Sequence, residues 1–181
     1  MKKKLLLLLV LIPALLLVVT GCDKQKEPVQ KEEKEKITLN DSTFGYETVF
    51  KYDKGEKYSE VKENNGGAST EISFENEDLD VEFQMYYTKM GKTSYEKTQE
   101  TRSAQKYYKE YTFGKYKAYA YGEYSSGINL NILLDVDSTD TAKVIFVAID
   151  RLDTNEDIVV ADVLDKDLKE FFDSIEVNSL G

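Results

Sequence analysis

Apolar and polar positions divide the chain into three stretches of different pattern. Leu5–Val19 is a run of fifteen positions, apolar except for Pro13, framed by Lys2, Lys3 and Lys4 before it and by Thr20-Gly21-Cys22 after it. Residues 23–36 read DKQKEPVQKEEKEK, with Val29 as the sole large apolar side chain. From Ile37 the pattern changes to period two. Phe44, Tyr46, Thr48, Phe50 and Tyr52 recur at every second position, which predicts a half-buried strand. Asp53-Lys54-Gly55 predicts a turn, Tyr58–Glu63 a weak second strand, and Asn64-Asn65-Gly66-Gly67 a tight turn with positive φ. Ser69–Phe74 follows as a strand. Leu79, Val81, Phe83, Met85 and Tyr87 then face one way, with Asp80, Glu82, Gln84 and Tyr86 facing the other.

Thr93 and Glu96 have the spacing of a capping box, so a helix is expected to open near Ser94. Its body is polar, with Tyr95 and Ala104 to bury. Tyr107–Thr112 and Lys115–Tyr124 predict a hairpin turning at Phe113-Gly114. Ile128–Val136 and Ala142–Ile149 predict central strands. Val160, Val163, Leu164, Leu168, Phe171, Phe172 and Ile175 recur at three and four, predicting a closing helix of about four turns. Strands, helix, strands, helix with short turns describe an α+β domain over residues 37–178. Its sheet should be mainly antiparallel, with about six to seven strands flanked by helices.

The first stretch is too short for the ~20 residues of a spanning helix and suits a signal-peptide core. Val19-Thr20-Gly21-Cys22 resembles the lipobox of bacterial lipoproteins. That resemblance implies cleavage between Gly21 and Cys22, with residues 1–21 removed as signal. It also implies a diacylglyceryl group on the Cys22 thiol and a place on the outer face of the bacterial cytoplasmic membrane. Two acyl chains suffice for stable anchoring. An uncleaved anchor or a plain secretory signal are the other readings. Cys22 is the chain's one cysteine, which excludes an intrachain disulfide and a thiolate zinc site. Residues 22–36 then read as the lipidated Cys and a charged flexible tether, with a helical stalk as rival.

The domain resembles the PsbP-like α/β/α sandwiches. The matching features are the aromatic strand Phe44–Tyr52, the helix before Phe113-Gly114-Lys115, and the closing Phe171-Phe172-Asp173-Ser174-Ile175. Members are mostly binding or assembly factors, so the resemblance implies a binding module of the cell envelope.

Composition narrows the chemistry. The chain has no His, which removes the commonest general base and metal ligand. Its net charge of −10 disfavours nucleic acid. From Ile37 onward 16 basic residues face 29 acidic ones, so the domain is more acidic than the whole. The expected partners are the membrane, through the lipid, and an envelope protein, peptide or glycan.

Three motifs remain. Asp135-Val136-Asp137-Ser138-Thr139 resembles the DxDxT signature of haloacid-dehalogenase-type phosphatases, which implies a metal-dependent hydrolase centred on Asp135 and Asp137. An acidic turn between strands is the plainer reading. Asp153-Thr154-Asn155-Glu156-Asp157 opens like an EF-hand loop, but Ile158 and Leu164 stand where Gly and Glu are needed. A looser calcium site would use Asp150, Asp153 and Asp157; otherwise Asp157 caps the last helix. No cofactor beyond the covalent lipid is expected. Thirteen Tyr lie between Tyr46 and Tyr124. Ala118, Ala120 and Gly122 form a small-residue face suited to packing under a helix. Tyr119 and Tyr121, with Tyr107 and Tyr111 on the neighbouring strand, are expected to form an aromatic binding patch open to water.

Overall fold

Alternating burial sorts the strands into two antiparallel sheets in the computed structural model, which describes residues 34–65, 69–152 and 157–180. The chain begins with β1 (Lys34–Asp41), β2 (Tyr46–Asp53), β3 (Lys62–Asn64), β4 (Glu71–Asn76) and β5 (Val81–Gly91). Helix α1 (Lys92–Arg102) leads to β6 (Tyr107–Phe113), β7 (Tyr116–Glu123), β8 (Gly127–Val136) and β9 (Thr141–Arg151). Two short helices, α2 (Val160–Lys166) and α3 (Lys169–Asp173), precede β10 (Glu176–Ser179). The larger sheet has the order β3-β4-β5-β9-β8-β7-β6, and the smaller β1-β2-β10. The expected α+β class with a mainly antiparallel sheet is observed.

The core lies on one face of the larger sheet, here called inner. Phe83, Met85 and Tyr87 of β5 pair with Ile149, Val147 and Ile145 of β9, and all six are buried. Ile128, Leu130 and Ile132 of β8 continue these rows, and Ala118 and Ala120 follow on β7. The same buried cluster includes Ile37, Leu39 and Phe50 of the smaller sheet and Leu164, Leu168, Phe171 and Phe172 of the closing helices. Phe171 stacks on Phe50 at 5.1 Å, and Phe74 on Phe83 at 4.7 Å. The Tyr87 hydroxyl ties the two sheets together, donating toward the Leu39 carbonyl (3.1 Å) and Thr48 Oγ1 (2.7 Å).

Several expectations are corrected. Lys34, Glu35 and Lys36 belong to β1, paired with Asp53, Tyr52 and Lys51, so the tether's expected end at residue 36 is too late. Cross-strand pairing and the Lys34–Asp53 ion pair at 3.2 Å hold a stretch whose composition reads as solvated coil. Of Tyr58–Glu63 only the end enters β3; Tyr58 makes a single bridge to Asn76 and packs its ring on Phe171 at 5.4 Å. The closing helix is broken at Asp167-Leu168. Leu164, Leu168 and Phe172 all lie in the core, and the chain then extends again as β10 along β2. The capping box does not form: Gly91 is the N-cap of α1 and no side chain caps it. The Lys92 amide instead donates to the Asp140 carbonyl at 2.7 Å.

The path of α1 follows from sheet order. It joins central β5 to edge strand β6 across the places filled by β9, β8 and β7. Four strand spacings are about 19 Å. Eleven helical residues rise about 16 Å, so the helix lies across the outer face as the bridge itself.

Candidate functional site

Strand register fixes what the outer face presents. One cross-strand row reads Glu71, Tyr86, Phe146, Asn131, Tyr119 and Glu110 from β4 to β6. The next reads Ser73, Gln84, Ala148, Asn129, Tyr121 and Tyr108. A third begins Glu75, Glu82, Asp150 and Gly127. Helix α1 covers only part of this face.

Under the helix, Tyr95 is its one buried residue, and its ring meets Tyr119 edge-on at 5.6 Å. The Arg102 guanidinium lies 4.7 Å over Tyr121, and Gln99 Nε2 donates to Tyr108 Oη and Glu110 Oε1, each at 3.1 Å. Tyr119 is 1% exposed and Tyr121 8%, so the expected open aromatic patch is instead roofed. Burial, with Tyr121 and Tyr108 alongside, pushes the Tyr119 hydroxyl up to about 12. That hydroxyl and the Asn131 amide nitrogen across the β7–β8 pair have no hydrogen-bond partner among the described residues.

Tyr107 and Tyr111 do not join Tyr119 and Tyr121. They pair with Gly122 and Ala118, which places them on the inner, small-residue face. Their hydroxyls meet at 2.7 Å, and Tyr111 donates to Asp165 Oδ1 at 2.6 Å, where Lys109 also binds. Burial, followed by the bond to Asp165, raises the Tyr111 ionisation. These residues fasten β6 to α2.

Beside α1 a cleft of about 400 Å³ opens between the helix and β6–β8, lined by Lys92, Tyr95, Gln99, Glu110, Lys117 and Leu133. Sequence reading missed it, because a helix with one buried side chain leaves no apolar stripe to announce a wall.

Beyond α1 no other described element covers the outer face, where Glu82, Gln84 and Asp150 are exposed. Tyr86 and Phe146, both half-buried, hold ring centroids 5.0 Å apart, with Gln84 and Ala148 in the next row. Glu75 stands opposite Glu82, and Glu82 opposite Asp150. The Asp150 carboxylate lies over Gly127, where a Cβ would collide with it. Burial raises its carboxyl above the ordinary range.

The remaining candidates are dispersed. Asp135 and Asp137 sit at the β8–β9 hairpin. Asp137 Oδ1 accepts from Thr139 Oγ1 (2.6 Å), Thr139 N (2.9 Å) and Thr141 N (3.2 Å), and these bonds lower its ionisation. Asp135 is exposed across from Lys143, next to a bulge. Asp157 does not cap α2, whose N-cap is Val159. Among the described residues no three carboxylates converge on an ion-sized position. Asp153, Gly21, Cys22 and the signal lie outside the described residues. Compared with family models, curated proteins and solved structures, the chain matches none.

Proposed function

We propose that this protein is a lipid-anchored, non-enzymatic binding or assembly module of the bacterial cell envelope, carrying a PsbP-like domain on the outer side of the cytoplasmic membrane. The anchoring half rests on Val19-Thr20-Gly21-Cys22 and the apolar run before it. The order of strands, helix, strands and helices, closed by Phe171-Phe172, supports the PsbP-like half. The observation that carries the binding reading is the uncovered half of the outer face. It presents an aromatic pair and carboxylates that make no ion pair among the described residues, on a seven-stranded sheet. Asp137, the general acid of the alternative hydrolase reading, is occupied by its own turn, which favours the binding reading over phosphatase chemistry. The test is Cys22→Ala in the full chain. Lipid labelling and membrane retention should both disappear; labelling that persists removes the anchor from the proposal.

A further inference from the structure

Like charges directly opposite on neighbouring strands destabilise a sheet. Glu75, Glu82 and Asp150 occupy three consecutive strands of one outer-face row in that arrangement. None of the three makes an ion pair among the described residues; lysines elsewhere pair with Asp53, Asp78, Asp165 and Glu176 instead. Folding therefore gains nothing from these charges, and a partner that supplies the opposite charge would relieve their repulsion.

Geometry selects the partner. Neighbouring strands are about 4.8 Å apart, so the carboxylates form a line about 10 Å long rather than a cage. A single cation cannot satisfy groups spread in this way, and no converging set is present among the described residues. Anionic lipid and nucleic acid would be repelled. The two rows beside the line hold Gln84 and Ala148, then Tyr86 and Phe146, a flat apolar strip with amide hydrogen-bonding groups.

We propose that this uncovered half of the outer face docks an extended, basic segment of a protein partner. Its lysine or arginine side chains meet the Glu75–Glu82–Asp150 line, and an apolar side chain covers Tyr86 and Phe146. The inference rests on the binding-module reading and is independent of the lipid anchor.

The test uses the full chain in neutral detergent and a fluorescent peptide alternating lysine with leucine and phenylalanine, followed by anisotropy. The lysine peptide should bind, weaken as salt screens the charges, and lose at least about tenfold in affinity with Glu75→Gln/Glu82→Gln/Asp150→Asn. A glutamate version of the peptide should not bind. Thermal melting guards against misfolding, because the triple variant should melt no lower than the parent. Glu35→Gln/Asp167→Asn/Glu170→Gln removes the same charge on the smaller sheet and about the closing helices and should leave affinity unchanged. No binding of the lysine peptide, or equal loss in both triple variants, overturns the proposal. So does calcium chloride alone displacing the peptide and binding through the same three residues. Cys22→Ala reports on anchoring separately, so failure of either result leaves the other readable.

Discussion

Tyr86 and Tyr87 are chain neighbours on β5 with opposite fates. Tyr87 points inward, is 1% exposed, and both hydrogen-bonds across to the smaller sheet and joins the main core. Tyr86 points outward, half-buried beside Phe146, on a row ending in Glu71. The two faces of one sheet are thus held to different standards. On the inner face the three central β5–β9 pairs, Phe83–Ile149, Met85–Val147 and Tyr87–Ile145, are apolar and buried, and Phe74 stacks on Phe83. On the outer face polar groups are left without partners beneath α1, and like charges stand opposite each other beyond it. The inner face determines stability, whereas the outer face carries features that stability alone would remove.

Three substitutions sharpen that contrast. Phe83→Ala deletes a fully buried ring from the inner face and should cost about 3–5 kcal/mol, measured as a shift in the urea midpoint. A loss below about 1 kcal/mol would show that the inner face is not the principal core. Tyr95→Ala removes the one buried side chain of α1 and should cost less, about 2 kcal/mol. Fast amide exchange should then be confined to α1, while β5, β8 and β9 stay protected. Exchange spreading through the whole sheet would mean that the outer roof and inner core are a single unit.

The smallest effect has the opposite sign. Because burial raises the folded-state ionisation of Asp150, its charged form is disfavoured by folding. Asp150→Asn should raise Tm at pH 7. The advantage is full above the raised folded value and fades to nothing below about 3.9, the unfolded value, where both forms are neutral. A Tm difference that persists at pH 3, or that grows on acidification, would contradict this assignment.

How much was legible in the sequence follows the same division. Val81–Tyr87 alternates toward one core, so its patterning declares both strand and orientation; Ala142–Ile149 buries Ala142 and Val144 beneath α1 and Ile145, Val147 and Ile149 in the main core, so its pattern declares the strand alone. The roof over Tyr119 was not legible, because α1 contributes a single ring and otherwise reads as solvated. The separation of Tyr107 and Tyr111 from Tyr119 and Tyr121 is written in the turn between their strands. The two-residue turn Gly114-Lys115 sets odd positions opposite even ones, and so sends Tyr111 to the face of Ala118. Strands β1 and β10 were hidden by charge and brevity; backbone pairing to β2, rather than side-chain burial, defines them at their polar ends. The unpaired carboxylate line could be recovered only from register. Glu75, Glu82 and Asp150 are ordinary surface residues until three strands bring them side by side.

Strand β2 lies between the first strand of the domain and the last, with Val49 opposite both Thr38 and Glu176. A growing chain can zip β1 to β2 as soon as both exist, but the other edge of β2 stays open until β10 is made. That delay makes the smaller sheet a clasp fastened after the larger sheet has all its strands. Contacts of such long sequence separation form slowly. A chain truncated before Glu176 would leave the backbone of β2 with an open hydrogen-bonding edge, the form in which extended chains recruit one another. The four residues of β10 therefore cover, late in the order of the described strands, an edge that would otherwise recruit other chains.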